Sequence, residues 1–171
     1  MYAFTYSRAA DVADAVGKLG EENAKILAGG QTLLPTMKQR LASPGVLIDL
    51  GGLADLRGIE DKGDVLVIKA MTRHAEVADS PVVAKAIPGL EKLAALIGDP
   101  AVRHRGTIGG SVANNDPSAD YPAACLALNA TIVTDRRRIA AGDYFQGLFT
   151  TALEENEIIT AVEFPKVETF G

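Results

Sequence analysis

Two glycine-rich segments constrain this chain more than any other feature. The first is Ala28-Gly29-Gly30-Gln31-Thr32 and the second is Thr107-Ile108-Gly109-Gly110-Ser111; each joins a Gly-Gly pair to side chains carrying hydroxyl or amide groups. Glycine accepts φ > 0 and lets a backbone approach a ligand closely, so successive N–H groups can face one concavity, a geometry suited to phosphate. Two ordinary turns fit these residues. So does a clamp that grips a dinucleotide from two sides, and spacing alone leaves both readings open.

The surrounding pattern gives the first segment a setting. Residues 25–28 read as a short buried strand and residues 33–41 as a helix with Pro35 in its first turn, where a missing N–H costs little. Residues 46–50 read as the next strand. Strand, glycine turn, helix and strand make a βαβ-like unit, which aims a helix N-terminus at whatever the turn holds. Upstream, Ala9, Val12, Ala13, Val16 and Leu19 follow a helical period, with Ser7 as the expected N-cap and Gly20 as the end. Gly51, Gly52 and Gly58 loosen the chain and place an expected boundary between a first lobe, residues 1–57, and a second α+β lobe, residues 58–171. In the second, a strand is expected over 65–68, a short helix capped by Thr72, a helix over 81–96 broken at Pro88-Gly89, a helix near 121–128, and strands over 130–134 and 158–164.

Composition excludes several functions. The 171 residues carry a formal charge of −5, so nucleic acid is a poor partner, and Arg136-Arg137-Arg138 reads as a solvated hairpin turn. No apolar run approaches the ~20 residues of a membrane span. The start lacks the pattern of a signal peptide, and a cytoplasmic protein is expected. Cys125 is the single cysteine and His74 and His104 are the only histidines, too few for an iron–sulfur cluster or a zinc site. Redox chemistry would need an organic cofactor, or metals on another chain. Cys125 sits in an apolar helical run and is expected to be buried; His74 is expected on a helix surface. Arg103 and Arg105 face either phosphates or a partner chain. No Ser-His-Asp arrangement, phosphate loop of the G-x-x-x-x-G-K-[ST] type or G-x-G-x-x-G fingerprint occurs, so no catalytic residue is assigned and a Rossmann-type fold is disfavoured.

At the glycine segments a resemblance becomes specific. Leu27-Ala28-Gly29-Gly30-Gln31-Thr32-Leu33-Leu34 resembles the first flavin loop of the FAD-binding subunits of molybdenum hydroxylases, a family that includes the medium subunit of aerobic carbon monoxide dehydrogenase and the flavin domain of xanthine dehydrogenase. Arg105-Gly106-Thr107-Ile108-Gly109-Gly110-Ser111, followed by Asp116-Pro117-Ser118-Ala119-Asp120, resembles the second. Residues after the first glycines set the chain nearer the bacterial three-subunit enzymes than the xanthine dehydrogenases. The resemblance implies a two-lobed α+β fold of the PCMH/vanillyl-alcohol-oxidase-like type with FAD between the lobes. It implies that Leu27 to Leu34 and Thr107 to Ser111 bind the cofactor, the glycines through backbone N–H groups, with Asp120 on its polar groups, Asn114 nearby and Ile159 packed against the flavin. By the residues alone, Asp120 is equally a helix cap and Ile159 a buried strand residue. The resemblance further implies a molybdopterin-binding large subunit and a 2Fe–2S small subunit as partners, electron transfer from the clusters through FAD to a terminal acceptor, and a C-terminal domain with no counterpart in this sequence. A free-standing flavin oxidase or reductase is the alternative.

Overall fold

The computed structural model describes residues 1–166. In chain order, β1 (Thr5–Arg8), α1 (Val12–Leu19), β2 (Ala24–Leu27), α2 (Leu33–Lys38) and β3 (Val46–Asp49) come first. The three strands form a parallel sheet in the order β1-β3-β2. The β2-α2-β3 unit is the βαβ unit expected from the sequence. Arg8 and Leu27 both lie opposite Asp49, so the carboxyl ends of all three strands share one edge. Ligands of parallel sheets gather at that edge.

β1 escaped the sequence reading, and Ser7 is a correction. Ser7 pairs with Ile48 within β1 and caps nothing. The N-cap of α1 is Asp11, whose carboxylate accepts the N–H of Asp14 at 2.7 Å. β1 carries mostly exposed side chains, so it has no apolar alternation to betray it.

A 3₁₀ turn (Ala54–Leu56) leads to β4 (Ile59–Asp61), β5 (Val65–Lys69), α3 (His74–Ala78), α4 (Pro81–Ala86), α5 (Pro88–Leu96), α6 (Pro100–Arg103), α7 (Ile108–Asn114) and α8 (Asp120–Ala127). Then come β6 (Thr131–Thr134), β7 (Arg138–Ala140), α9 (Ala141–Tyr144), β8 (Phe145–Gly147), β9 (Thr150–Thr151) and β10 (Ile159–Pro165). β4-β5-β10-β6-β7 form an antiparallel sheet. Ile87, kept out of the helical region before Pro88 at φ −145° and ψ 79°, separates α4 from α5. Thr72 does not cap α3: its buried hydroxyl accepts the Gly58 N–H and donates to the Gly58 carbonyl, each at 3.0 Å. Arg73 takes the cap position, and its N–H donates to Glu76.

The chain is thus mixed α and β, with two packed cores. The larger sets Leu66, Ile68, Ile132, Val162 and Phe164 of the antiparallel sheet against Val83, Leu90, Ile108, Tyr121 and Cys125 of the helices. Burying each large aliphatic or aromatic side chain contributes about 1.5–3 kcal/mol. Cys125 is fully buried there, and burial pushes its thiol up to about 12. The smaller core gathers Ala15, Ile48, Leu50, Leu53 and Leu56 around Met71 and Ile158. The last two come from far along the chain, so the parallel sheet does not close its own core. Arg136, Arg137 and Arg138 turn the β6–β7 hairpin and pair with Glu154, Glu157 and Glu163, as a solvated turn should.

Candidate flavin site

The two glycine segments meet. A Cβ on Gly29 would lie 2.2 Å from the Arg105 carbonyl oxygen and 2.7 Å from the Gly106 Cα, so only glycine permits this backbone-on-backbone approach. Gly30, at φ +73°, takes the left-handed conformation that turns β2 into α2. Beneath it pack the side chains of Leu34 and Leu27. Among the described residues, the backbone N–H groups of residues 29–33 donate to no protein acceptor. Several successive free donors at the carboxyl edge of a parallel sheet are an anion-binding arrangement.

The second segment is built differently, and here the expectation of a second donor turn is corrected. Thr107 is the N-cap of α7, so Gly109 and Gly110 lie in a helical first turn. The Gly109 N–H donates to the Ala70 carbonyl at 2.9 Å, and that of Ile108 to the Thr72 carbonyl at 3.1 Å. A Cβ on Gly109 would stand 2.6 Å from that of Ala70. This glycine serves close packing of α7 on the end of β5, and its N–H is not free for a phosphate. The Gly110 N–H is held by the Thr107 hydroxyl at 3.2 Å, a longer bond.

Both segments line one cavity of about 920 Å3. Small-molecule and cofactor sites span roughly 300–1,000 Å3. Ala28, Gly29, Gly30, Gln31, Thr32, Leu33, Thr107, Gly109, Gly110, Ser111, Asn114, Asp120 and Ile159 line it. Leu27, Leu34 and Ile108 do not: the first two brace Gly30, and Ile108 is fully buried in the larger core. Asp120 is the exposed first residue of α8, whose N-cap is Ala119, so its carboxylate caps no helix. Asp116 is spent on its own turn, accepting both the N–H and the hydroxyl of Ser118. Asn115, next to Asn114, braces the structure instead. At φ +44° it donates to the Gly147 and Thr150 carbonyls at 2.8 Å and ties down the β8–β9 loop.

His74 is another correction. It lies in the cavity wall, 5% exposed, not on a helix surface. Its ring tilts against Tyr121 at 5.3 Å, and a Cβ on Gly106 would lie 2.5 Å from its Nε2. Burial pulls its pKa down to about 4, so the ring is neutral at pH 7, and Nδ1 has no partner among the described residues. The helix period of α3 gave no sign of this, because Gly106 belongs to a segment remote in sequence. Arg103 braces its own turn: its Nη1 donates to the Ile97 and Gly98 carbonyls at 3.0 and 2.9 Å.

Sequence reasoning missed Met71, Ile158 and Glu157 in the wall. Glu157 is a buried carboxylate. Arg137 grips both its oxygens at 2.9 Å, and Thr134 and the Glu154 N–H add to the hold. These bonds, that of Arg137 foremost, keep its pKa down at about 2. The cavity wall therefore holds both an ion-paired carboxylate, Glu157 with Arg137, and the free N–H donors of residues 29–33. Among the described residues, no group of His, Cys, Asp and Glu could hold a metal ion, and no helix is long and apolar enough to cross a membrane.

Comparison with known proteins matches residues 2–167 to the family described as the FAD binding domain in molybdopterin dehydrogenase. The carbon monoxide dehydrogenase medium chain of Hydrogenophaga pseudoflava is 43% identical over 168 residues, 95% of this chain and 58% of the relative. The nicotine 6-hydroxylase medium subunit of Paenarthrobacter nicotinovorans is 42% identical, over 95% of this chain and 59% of its own length. Among solved structures, quinoline 2-oxidoreductase from Pseudomonas putida 86 superposes with a TM-score of 0.94 at 35% identity, covering 98% of this chain and 60% of that one. The chain thus spans about three-fifths of the length of these relatives. A match over nearly its whole length, with a cavity of cofactor size at its glycine segments, means that the chain belongs to the FAD-binding domain family of the molybdopterin dehydrogenases, whose cofactor is FAD.

Proposed function

We propose that this chain is the FAD-holding part of a molybdopterin- and iron–sulfur-containing hydroxylase or dehydrogenase, with two lobes, residues 1–57 and 58–171, in a PCMH-like arrangement around the cofactor. Its partners on this reading are a large molybdopterin subunit and a small 2Fe–2S subunit. Bound FAD would supply the redox chemistry, a relay of electrons between the clusters and a terminal acceptor. The chain's own residues bind, orient and exclude water. The run of free N–H groups at residues 29–33 carries the reading, because it offers the pyrophosphate its donors. Thr32 and Ser111 add hydroxyls, and Asn114 and Asp120 add further polar groups to the lining. Ile159 and Met71 supply apolar surface for the flavin. Gly109 acts by letting α7 approach β5, not by donating.

Titration of the apoprotein with FAD tests the site. Gly30→Val replaces a left-handed glycine with a β-branched residue and should abolish flavin retention while the protein stays folded; parental flavin content would sink the assignment. A steady-state assay tests the role. The flavin-loaded chain alone should not oxidise carbon monoxide, purines or aromatic heterocycles with an artificial acceptor, and should do so within an assembly holding both partner subunits. Sustained turnover by the lone chain would overturn the relay reading.

A further inference from the structure

A second, smaller cavity of about 220 Å3 adjoins the flavin cavity and shares Ala28, Gly29, Met71 and Thr107 with it. Arg8, Arg57, Arg73 and Arg105 line it, with Asp49 as its one carboxylate. Arg8 and Asp49 stand at the carboxyl edge of the parallel sheet, and the other three arginines arrive from separate loops. Like charges gathered from four places in the sequence repel one another, weakly at the exposed Arg8 and Arg105 and more at the half-buried Arg57 and Arg73, and an anion among them relieves that repulsion. Asp49 is not that anion. Its oxygens are taken by the Tyr6 hydroxyl at 2.5 Å and the Gly51 N–H at 2.7 Å. Among the described residues, none of the four arginines forms an ion pair with a carboxylate. Arg57 donates from Nη2 to the Gly51 carbonyl at 2.9 Å, but its Nε is fully buried with no partner. A buried, charged donor without an acceptor is costly.

We propose that this cavity is a binding site for a small phosphate-class oxyanion, adjoining the flavin site but built on its own arginines. Guanidinium groups match phosphate oxygens in bidentate geometry, and a dianion among the four offsets most of the charge that Asp49 leaves unmet. The volume falls below the roughly 300 Å3 at which sites for organic ligands begin, so the occupant is a free oxyanion and not a nucleotide. The flavin pyrophosphate is the other source of the same chemistry.

The test uses the FAD-saturated chain, titrated with sodium phosphate against sodium chloride at matched ionic strength. Melting temperature and 31P line broadening are read. A saturable rise in melting temperature with phosphate and not with chloride is expected, with FAD affinity unchanged. Arg57→Met and Arg105→Met should each weaken the phosphate response by about tenfold or more, and Arg136→Met, outside the cavity, should not. In phosphate-free buffer Arg105→Met should melt no lower than the parent, because charge crowding is relieved. If Arg57→Met fails to fold, the exposed Arg105 carries the test. Equal responses to phosphate and chloride, or a full response in both cavity variants, would overturn the proposal. So would competition between phosphate and FAD, which would give the arginines to the flavin.

Discussion

Substituting Gly29 by alanine adds one methyl group at the tightest backbone contact in the site. Its Cβ would lie 2.2 Å from the Arg105 carbonyl oxygen and 2.9 Å from the Arg105 carbonyl carbon. Carbon and oxygen at ordinary contact stand roughly 3.3 Å apart, so the two segments must part by about 1 Å. No flexible side chain can yield, because every atom met is backbone. Overpacking of this kind costs about 1–3 kcal/mol, and in a chain of this size each kcal/mol lowers Tm by about 2–4 °C. Gly29→Ala should therefore melt about 2–12 °C below the parent. The same displacement moves the free N–H groups of residues 29–33 away from Ser111 and Asp120, and FAD affinity should fall about tenfold or more. Gly17→Ala is the control. Gly17 lies in α1 with nothing within 4 Å of the added methyl, so alanine should stabilise by up to about 1 kcal/mol and leave FAD binding alone. Thermal melts and flavin titrations of both variants suffice. Parental stability and affinity in Gly29→Ala would refute the close approach. Lost stability with full affinity would keep the contact but deny that it shapes the flavin cavity.

Asp120→Ala should weaken FAD binding by about 1–3 kcal/mol, with stability nearly unchanged because Ala119 holds the cap position; titration beside a melting curve reads both, and unchanged affinity with a lowered Tm would reverse the assignment. Glu157→Gln should cost about 1–2 kcal/mol, the lower part of the range for a charged hydrogen bond since Arg137 is itself 40% exposed. The folded carboxyl is held at about 2, below its ordinary 4.5, so its contribution is full above about pH 4.5 and fades as pH falls toward 2. Acid denaturation of Glu157→Gln should lose that part of its slope, and identical acid limbs would exclude it.

The glycine segments, the βαβ unit, the break at Pro88 and the arginine hairpin were legible because each rests on chemistry local in sequence. What was not legible depends on contacts between remote segments. Gly109 reads as a turn residue until Ala70 is seen beside it, and its N–H proves already committed. His74 reads as a surface residue until Gly106 and Tyr121 close over it. β1 is held by its pairing with β3 and hides behind exposed side chains. The four arginines that share a cavity with Gly29 lie at residues 8, 57, 73 and 105, a grouping no window along the sequence could reveal.

The place of β10 in its sheet governs the order in which this protein can be made. Among the described residues it follows every other strand, yet it lies at the centre of its sheet, with β5 on one side and β6 on the other. Until residues 159–165 leave the ribosome, the β4–β5 and β6–β7 hairpins each present an open inner edge and the uncovered faces of Leu66, Ile68 and Ile132. Open edges and bare apolar faces recruit other chains. Ile158 arrives with the same strand and completes the smaller core. Both cores thus close in one late step, and a nascent chain paused before residue 159 is a period of exposure that holdase chaperones are suited to cover.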